Sequence, residues 1–432
     1  MDFAKLIDGK GGISSKYIKL TKQRQALSVA IIGGGPSGLM AAEVLIEAGY
    51  KVDLYEAMPT VGRKFLMAGK GGMNISNDEP IDVFLSRFGD HKSNLKGAIE
   101  KFSSLELRQW IYELGIDTFV GSSGRIFPSD MKAAPLLRKW LSRLRSSGVN
   151  FHLRHQWMGW VEGCNHLLIF DVQGNSIEIK VDAVILALGG ASWPQLGSNG
   201  AWVPILTKQE VKVSPLRPTN CGFDVIWSEY FQTHYSGKPL KSISISSNTI
   251  KEIDGFLKGE LIITEYGLEG GVIYKLAAGL REEITLNGYA MIYLDLIPSV
   301  NKATVVNKIT QDRGKQSMAN HLRKQLRING VKAGLLREIV NASDFSNAEQ
   351  LCALIKSLPI KLVAARPIAE AISTAGGVEF AELDQNQMLV KKPGVFCTGE
   401  MLDWEAPTGG YLLTACLSLG RAAAMGVIAS LK

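Results

Sequence analysis

Three glycines stand between a short apolar run and a helical pattern, a spacing that can bind phosphate. Gly33, Gly35 and Gly38 have the spacing G-x-G-x-x-G, and the apolar run before them suits a buried parallel strand. The first glycine permits a tight turn, the second lets a pyrophosphate approach the backbone, and the third lets the helix pack closely on the strand. The pattern predicts a dinucleotide site formed by Gly33, Gly35, Pro36, Ser37 and Gly38.

The residues around this turn fit a βαβ unit. Apolar residues recur at helical spacing from Leu39 to Ala48, and Gly49 suits the end of that helix. Lys51 to Tyr55 has the pattern of a second strand, and Glu56 stands at its end, 18 residues beyond Gly38. A carboxylate there accepts hydrogen bonds from ribose hydroxyls and disfavours a 2′-phosphate. The unit by itself does not separate FAD from NAD.

A glycine-rich, cationic stretch, GRKFLMAGKGGMNISN, follows this unit at residues 62–77. We interpret it as a flexible loop that carries the chain along an extended FAD toward the isoalloxazine. Its cations can offset phosphate charge, its glycine N–H groups can close on phosphate and flavin, and its amide can hydrogen-bond a polar ring edge. The alternative is a solvent loop whose glycines only turn the chain. The candidate residues are Arg63, Lys64, Gly69, Gly71, Met73 and Asn74.

Two later stretches also suit a flavin dinucleotide. An apolar strand that begins at Asp182 ends in paired glycines, and a short strand from Gly394 to Thr398 is followed by a glycine and an acid. A Thr-Gly-Gly sequence then opens a helix that continues to about Ala429. The N-terminus of such a helix offers free N–H groups and a positive dipole end to the N1/C2=O side of a reduced flavin. The candidate residues are Gly189, Gly190, Gly399, Glu400, Gly409, Gly410, Tyr411 and Leu412.

Six motifs in this order resemble those of the YhiN-type flavoproteins, which are NAD(P)/FAD-dependent oxidoreductases that include aminoacetone-oxidase-like proteins. They span the chain from about residue 28 to its end and read VAIIGGGPSGLMAA, GRKFLMAGKGGMNISN, GRIFPSDMKA, ILALGGASWP, TEYGLEGG and CTGEMLDWEAPTGGYLLTACLSLGRAAA. The resemblance implies an α/β fold. Its core would be a Rossmann-like FAD-binding domain of the two-dinucleotide-binding type, interrupted by an inserted β-rich domain and a small inserted helical domain.

The patterns between the motifs agree with such inserts. Stretches such as SISISSNTI and AMIYLDLI alternate as strands do, and a later region rich in lysine, leucine and alanine has helical spacing. We therefore expect a basic N-terminal tail at 1–28, the first part of the FAD-binding domain at 29–213, the β-rich insert at 214–300, the helical insert at 301–358 and the second part of the FAD-binding domain at 359–432.

The chain departs from the family pattern at three places. Gly72-Met73-Asn74 replaces Arg-Cys-Asn, which excludes a thiol there, and Glu269-Gly270-Gly271 replaces Ser-Gly-Pro. The sequence SNGAW at residues 198–202 also differs from the more usual Ser-Thr-Gly-Asp-Gly. These departures indicate a subgroup of the family.

No residue stands out from the sequence as a catalytic base. For each candidate placed near the flavin by a motif, packing or flavin contact is favoured over proton transfer. Two cations, Arg125 and Lys132, could alternatively orient an anionic substrate. The candidates are Arg125, Lys132, Tyr266, Trp404, Glu405 and Tyr411.

Composition restricts the partners. Of the net charge of +7, +4 lies in residues 1–28, so the remaining +3 does not favour a nucleic-acid partner. The sequence contains no uninterrupted apolar run of the kind that predicts a membrane span or a secretory signal, so neither is expected. The five cysteines are scattered and form no C-x-x-C pair, which indicates free thiols in a reducing cytoplasm. No metal-binding motif occurs, so no metal is expected.

The sequence thus predicts an FAD-dependent oxidoreductase with non-covalently bound flavin and a small organic substrate, acting by amine oxidation or by C=C reduction. A second complete G-x-G-x-x-G motif is missing, so NAD(P)H would visit the flavin only as a transient donor. The alternative is an FAD-binding redox or nucleic-acid-associated protein whose flavin is structural or sensory. Oxygen use separates the two reactions, because an oxidase makes peroxide with substrate alone whereas a reductase needs an electron donor.

Overall fold

The structure is a computed structural model that describes residues 27–69, 71–248 and 255–432. The basic tail expected at residues 1–28 lies outside the described residues, apart from its last two.

In chain order, the strands are β1 (Ser28–Ile32), β2 (Lys51–Glu56), β3 (Ser76–Asn77), β4 (Thr118–Val120), β5 (Arg125–Pro128), β6 (Asn150–Leu153), β7 (Gln156–Trp160), β8 (Leu167–Val172), β9 (Asn175–Lys180), β10 (Ala183–Leu186), β11 (Val213–Thr219), β12 (Phe223–Asp224), β13 (Pro239–Ser247), β14 (Leu257–Ile263), β15 (Gly267–Glu269), β16 (Ala290–Asp295), β17 (Leu358–Leu362), β18 (Ala364–Ala365), β19 (Ser373–Val378) and β20 (Val395–Cys397).

The α-helices are α1 (Pro36–Glu47), α2 (Arg63–Ala68), α3 (Ile81–Ser86), α4 (Lys92–Lys101), α5 (Ser104–Glu113), α6 (Ala133–Ser146), α7 (Val203–Thr207), α8 (Glu229–Tyr235), α9 (Gly271–Asn287), α10 (Lys302–Thr310), α11 (Met318–Leu326), α12 (Gly330–Ile339), α13 (Ala348–Lys356) and α14 (Tyr411–Ser430).

A five-stranded parallel sheet forms the centre of the first unit, in the order β20-β10-β1-β2-β6. In β1, Ala30 pairs with Val184 of β10 on one side and with Asp53 of β2 on the other. β1 and β10 are apolar almost throughout because hydrophobic clusters cover both faces of the sheet. The turns that follow β1, β2, β10 and β20 therefore meet at one edge, and the expected α/β Rossmann-like fold is confirmed.

Helices α1 and α14 pack against each other over one face of this sheet. A Cβ on Gly420 of α14 would lie 2.3 Å from the carbonyl oxygen of Ser37 in α1, so only glycine allows this approach. Among the described helices, only α14 is long and apolar enough to cross a membrane. Because 56% of its most apolar window is buried inside the protein, the packing accounts for its apolar composition.

A second unit interrupts the first between β11 and β19, which pair antiparallel and carry the chain out and back. Its antiparallel sheet has the order β17-β16-β13-β14-β15-β12-β18. Helices α8 to α13 share one hydrophobic core with this sheet, which includes Ile292 of β16, Leu322 of α11 and Leu351 of α13. We call this part of the chain the inserted unit.

The inserted unit differs from the two inserts expected from the sequence. Residues 358–365 form β17 and β18 of its sheet, so the second part of the FAD-binding domain begins later than residue 359. The helices of residues 301–358 also lack a core separate from that of the strands. The cause is the inward alternation of Leu358, Ile360 and Leu362, which completes the core beside β16.

The stretch expected as a flexible loop at residues 62–77 contains regular structure. Its first residues form α2, and Ser76 and Asn77 pair with β5 as β3. The sequence RKFLMA consists mainly of good helix formers, and Phe65 anchors the helix because its buried ring packs against Trp140 at 6.2 Å between centroids.

The close approach of α1 and α14 predicts the effect of Gly420→Ala. The added methyl group should destabilise the fold by about 1–3 kcal/mol because it meets a backbone carbonyl. Gly97→Ala in exposed α4 is the matched control, since a Cβ there meets nothing within 4 Å, and it should stabilise by about 0.5–1 kcal/mol. Urea unfolding followed by circular dichroism measures both changes. Equal midpoints for the two variants would contradict the packing.

Candidate functional site

The glycine turn after β1 is a cradle of backbone atoms. A Cβ on Gly33 would lie 2.2 Å from the carbonyl oxygen of Ala187, and one on Gly38 would lie 2.0 Å from that of Gly33. Gly35 differs because a Cβ there would meet nothing within 4 Å. It is the N-cap of α1, makes no side-chain capping bond and is followed by Pro36 at the first helical position. The open space at Gly35 and the first turn of α1, which has no side-chain cap, suit a phosphate.

Two of the predicted residues serve mainly to hold the cradle together. The Ser37 hydroxyl donates to the carbonyl oxygen of Cys416 in α14 at 2.8 Å. A Cβ on Gly399 would lie 2.2 Å from the Ser37 hydroxyl oxygen, so the turn after β20 also presses against α1. This contact joins the last strand of the sheet to the phosphate cradle.

Glu56 lies beside the cradle with a fixed carboxylate. Its Oε2 accepts from the N–H of Gly34 at 2.9 Å and its Oε1 from the N–H of Met58 at 2.8 Å. Burial raises the pKa of this carboxyl, while the two backbone N–H groups act in the opposite direction. Each carboxylate oxygen keeps a lone pair, so Glu56 can still accept a ribose hydroxyl.

Lys64, Gly189 and Glu400 come together although they lie in three separate motifs. The Lys64 ammonium donates to Glu400 Oε2 and to Ser192 Oγ, both at 2.8 Å. A Cβ on Gly189 would lie 3.8 Å from the same Glu400 oxygen, and the N–H of Thr374 donates to the other at 3.1 Å. Of the two cations expected to offset phosphate charge, Lys64 is therefore neutralised by Glu400.

Gly190, which follows Gly189, must be a glycine because of its packing. A Cβ on Gly190 would lie 2.2 Å from Thr374 Oγ1, and the same hydroxyl oxygen accepts from the N–H of Ala191 at 2.9 Å. The loop after β10 is thus held against β19.

The N-terminus of α14 also depends on glycine. Gly409 and Gly410 have φ values of 145° and 92°, and a Cβ on Gly410 would lie 2.5 Å from the backbone of Ser76. Gly410 is the N-cap and provides no side-chain cap, so the first N–H groups of this helix remain available to a ligand. Leu412 is half-buried against the core.

The side chain of Tyr411, the first residue of α14, contacts Glu79 and Arg87. Its hydroxyl donates to Glu79 at 2.9 Å, and the guanidinium of Arg87 lies 5.9 Å from the ring centroid. Burial and the Glu79 carboxylate raise the pKa of Tyr411 to about 12. These contacts assign Tyr411 a packing role.

Most of the cofactor-binding candidates within residues 62–77 also make contacts inside the protein. The Asn74 amide N–H groups donate to the carbonyl oxygens of Ser76 at 2.7 Å and Ile126 at 3.1 Å, so only its oxygen remains for a ligand. Met73 is fully buried. The other three differ: Arg63 donates to Thr60 at 3.3 Å, a Cβ on Gly69 would lie 2.7 Å from that of Ala133, and Gly71 has open space around it.

The six candidates for catalysis do not form one cluster. Trp404 is buried and its indole N–H donates to the carbonyl oxygen of Gly399 at 2.9 Å. Glu405 forms an ion pair with Arg281 of the inserted unit at 2.8 Å. Arg125 is half-buried beside Asn77 and Lys132 is exposed, and neither forms an ion pair with a described residue. Tyr266 lies in a separate cavity.

This cavity, of about 280 Å³, lies on the inserted unit and contains residues that the sequence did not single out. Arg366 places its guanidinium 4.1 Å from the centroid of the Tyr266 ring and pairs with Glu370 at 2.8 Å and Asp224 at 3.0 Å. The polar lining also includes Thr264, Glu265, Glu269 and Tyr274. Glu269 could have been found from the sequence because it departs from the family pattern, whereas Arg366 lies in no motif.

Burial and neighbouring carboxylates raise the pKa values of Glu269 and Tyr274 in this cavity. Burial raises the pKa of Glu269, the nearby Glu370 raises it further, and Arg366 opposes the rise. Burial and Glu269 together raise the pKa of Tyr274 to about 12. The Glu269 carboxyl therefore keeps its proton to a higher pH than an ordinary glutamate.

Hydrogen bonds connect the chain beside this cavity to the loop after β10, which also contacts Lys64. The N–H of Trp193 donates to the carbonyl oxygen of Ala369, one residue before Glu370, at 3.3 Å. The Ser192 hydroxyl, which also contacts Lys64, lies 3.5 Å from the carbonyl oxygen of Ile372. The cavity and the Lys64–Glu400 pair thus flank the same loop. A larger cavity of about 500 Å³ lies elsewhere, among α1, α4, α5, α6 and α14, and contains none of the glycine motifs.

Several polar atoms along the cradle fit a bound dinucleotide. Ser198 Oγ, Thr398 Oγ1 and Asn77 Oδ1 are buried and have no hydrogen-bond partner among the described residues. They lie beside Gly189, before Gly399 and on β3 next to α14, respectively. Buried polar groups are normally satisfied, so a polar ligand along this path would complete them.

Residues 27–426 match the profile of the HI0933-like protein Rossmann domain. The chain belongs to this family. As a member it is a flavoprotein oxidoreductase, which confirms the resemblance seen in its sequence motifs. The described residues contain no group of three His, Cys, Asp or Glu side chains placed to hold a metal, and all five cysteines are free thiols.

Two full-length relatives have named activities. The chain is 23% identical to the ribosomal RNA dihydrouridine synthase of Escherichia coli (strain K12), over 93% of this chain and 98% of that protein. It is 24% identical to the 3-dehydro-bile acid delta(4,6)-reductase of Clostridium scindens, over 89% of this chain and 95% of that protein.

Two solved structures resemble the chain over most of its length at low sequence identity. The open form of a flavocytochrome c3 fumarate reductase has a TM-score of 0.49 at 14% identity and covers 94% of this chain and 79% of its own. The 3-ketosteroid-Δ4-(5α)-dehydrogenase of Rhodococcus jostii RHA1 has a TM-score of 0.47 at 12% identity and covers 95% and 98%.

The Lys64–Glu400 pair predicts a measurable coupling in the apoprotein. Lys64→Met should cost about 1–3 kcal/mol because it leaves the Glu400 carboxylate, 14% exposed, without its cation. The double variant Lys64→Met/Glu400→Gln should cost less than the sum of the two single changes. Lys51→Met is the control, since its ion pair with Asp53 is solvent-exposed on the lysine side and should cost less than about 1 kcal/mol. Additive costs in urea unfolding would show that the pair is not coupled.

Proposed function

We propose that this protein is an FAD-dependent reductase that adds two hydrogens across a ring C=C bond conjugated to a carbonyl group. The observation that carries the proposal is the cavity of the inserted unit, where the Arg366 cation and the Glu269 carboxyl, whose pKa is raised, line one space. Reduction of such a bond needs a positive group at the carbonyl oxygen and a proton donor at carbon, and the cavity offers both.

In this proposal FAD is held without a covalent bond by backbone groups. The turn at Gly33 and Gly35 and the N-terminus of α1 would bind the pyrophosphate, and Glu56 would accept from the ribose. The N-terminus of α14 after Gly410 would offer its N–H groups to the flavin. Bound and reduced, FAD supplies the hydride for the β-carbon of the substrate.

Arg366 would orient the substrate through its carbonyl oxygen. A guanidinium has five N–H donors, and the contacts with Glu370 and Asp224 use three of them, so two remain for the ligand. As negative charge develops on the carbonyl oxygen, these donors stabilise it. Tyr266 limits the movement of Arg366 because its ring lies against the guanidinium.

Glu269 would supply the proton for the α-carbon. Its raised pKa keeps the carboxyl protonated under conditions in which an exposed glutamate is ionised, and the carboxylate left after transfer is stabilised by Arg366. Tyr274 lies in the same cavity, and its pKa of about 12 keeps it in the phenol form. It would pass its proton to the Glu269 carboxylate and take another from solvent.

The named relatives support reduction over amine oxidation. Dihydrouridine is uridine with two hydrogens added across a ring double bond conjugated to a carbonyl, and a delta(4,6)-reductase of a 3-dehydro bile acid removes ring double bonds next to a ketone. The charged lining of the cavity favours a polar ring, as in a pyrimidine, over an apolar steroid.

The test is the oxidation of the reduced holoenzyme in the absence of oxygen. After reduction by dithionite, a uridine-containing RNA or a cyclic enone should restore the absorbance of oxidised flavin, whereas their saturated counterparts should not. Peroxide formation with an amine as sole substrate, and no reoxidation by any conjugated ring, would overturn the proposal in favour of an oxidase.

The same measurement in stopped flow tests the role of Glu269. The rate of reoxidation should be highest at low pH and fall as pH rises through the raised pKa, because the protonated carboxyl is the active form. Glu269→Gln should lower the rate by about 10²–10⁴-fold and remove this pH dependence. Glu260→Gln, an exposed carboxyl on the same sheet, should change neither. An unchanged pH profile in Glu269→Gln would exclude this carboxyl as the proton donor.

A further inference from the structure

The charge of the chain is distributed unevenly. Residues 302–339, which contain α10, α11 and α12, have nine cations and two anions, a net charge of +7. The whole chain also carries +7, so the charges of the remainder sum to zero even though it includes the basic residues of the N-terminal tail. A modest net charge for the molecule therefore conceals one strongly basic segment in the inserted unit.

Seven of these cations are exposed, and none forms an ion pair with a described residue. We call them the basic face: Lys302, Arg313, Lys315, Arg323, Lys324, Arg327 and Arg337. The remaining two cations of the segment are half-buried and donate to backbone carbonyl oxygens. Elsewhere in the described structure, many cations are paired with carboxylates, as Arg281 is with Glu405. An unpaired set of this size is free to bind anions.

The folding of α11 explains how its cations come to share a face. Leu322 and Leu326 are buried in the core of the inserted unit. Arg323, Lys324 and Arg327 occupy the positions between and after them, and all three are exposed. Residues three and four apart lie on one side of a helix, so the three cations project together.

The backbone at Arg327 allows its charge to be tested separately from the fold. Arg327 is the C-cap of α11 and has φ 57° and ψ 26°, the left-handed region in which glycine or asparagine is favoured. It is one of nine described non-glycine residues with a positive φ, so this conformation alone does not indicate function. Glycine at this position should remove the charge and relieve the backbone strain together.

The nearby acids do not neutralise the basic face. Asp312 accepts from the N–H of Gly314 at 2.9 Å, and Glu338 accepts from the N–H and hydroxyl of Ser228 at 2.6 and 2.7 Å. Neither forms an ion pair with the basic face. The anion that this surface binds must therefore come from another molecule.

We propose that the basic face binds the phosphate backbone of RNA and that the reducible ring is a base carried by this RNA. Four of the seven cations are arginines, whose planar guanidinium groups match phosphate geometry. The choice of RNA rests on the proposed function, because uracil contains the ring C=C bond conjugated to a carbonyl and occurs in RNA. Both the basic face and the Arg366 cavity belong to the inserted unit, so one unit would hold the backbone and the base.

A membrane surface is a poorer partner for this face. A helix that lies on a membrane inserts an apolar side between the lipids. The apolar sides of α10, α11 and α12 are instead buried in the core, and residues 302–340 contain no large exposed hydrophobic side chain. The surface thus offers charge without an insertion face.

The test measures binding of a fluorescently labelled RNA hairpin of about 30 nucleotides to the full-length holoenzyme with oxidised flavin, over a range of salt concentrations. Neutralising three cations, in Arg323→Gln/Lys324→Gln/Arg327→Asn, should reduce the slope of log affinity against log salt by about 2. At low salt the affinity should fall on the order of 100-fold. The control Lys92→Gln/Lys180→Gln/Lys208→Gln removes the same charge from exposed positions elsewhere and should leave binding nearly unchanged.

Arg327→Gly separates binding from folding. It should raise the midpoint of thermal unfolding, because glycine adopts the left-handed conformation without strain, while it weakens RNA binding. A loss of binding caused by misfolding would instead lower the midpoint.

Four outcomes would overturn the proposal. The first is an equal loss of RNA affinity in the control triple variant, and the second is RNA binding that disappears only when residues 1–26 are deleted. The third is a DNA hairpin of the same sequence that binds as tightly as the RNA, and the fourth is binding to phosphatidylglycerol vesicles that the Arg323/Lys324/Arg327 triple variant abolishes. Because the flavin stays oxidised, no turnover is involved. A failure of the proposed reduction would leave RNA binding intact, and a failure of RNA binding would leave reoxidation by a cyclic enone intact.

Discussion

The structure depends on a few places where backbone meets backbone without a side chain between them. Gly420 brings α14 against α1, and Gly410 brings the start of α14 against β3. At each of these places a Cβ would lie within 2.5 Å of a backbone atom, and interiors as dense as those of proteins cannot absorb such an overlap without moving a whole element. The last helix of the chain is thereby fixed beside the glycine turn that follows the first strand. The backbone cradle at Gly33, Gly35 and Gly38 is a consequence of this packing.

The charged residues serve two distinct purposes. In the cradle and where the two units meet, cations are held by carboxylates from distant parts of the chain, as in the Lys64–Glu400 and Arg281–Glu405 pairs. The Arg281–Glu405 pair joins the inserted unit to the unit of the parallel sheet, whereas the Lys64–Glu400 pair lies within the latter unit. On α10, α11 and α12 the cations lack such partners among the described residues, which suits the recognition of an external polyanion. In our proposal the inserted unit therefore combines a cavity for a small ring with a surface for a large partner.

Much of the first unit could be predicted from the sequence because its signals are local. The β1–α1–β2 unit and α14 follow from apolar periodicity and glycine spacing over a few turns of chain. The partner of Lys64 could not be predicted, since Glu400 lies 336 residues away and only the folded sheet brings the two together. Arg366 belongs to no motif, and it becomes a candidate only because it shares a cavity with Tyr266 and Glu269, which lie at β15. The extent of the inserted unit was missed because β17 resembles the start of the next domain until its pairing with β16 is known.

The most direct test of the account is the affinity of the apoprotein for FAD in Gly35→Ala. A methyl group at Gly35 meets no protein atom within 4 Å, so the unfolding midpoint of the apoprotein should change little. The same methyl group would occupy the space through which the pyrophosphate approaches the backbone, and FAD affinity should fall tenfold to a hundredfold, for a steric cost of about 1–3 kcal/mol. Gly97→Ala is the control and should bind FAD as the unaltered protein does. Undiminished FAD binding by Gly35→Ala would contradict the placement of the dinucleotide in this cradle.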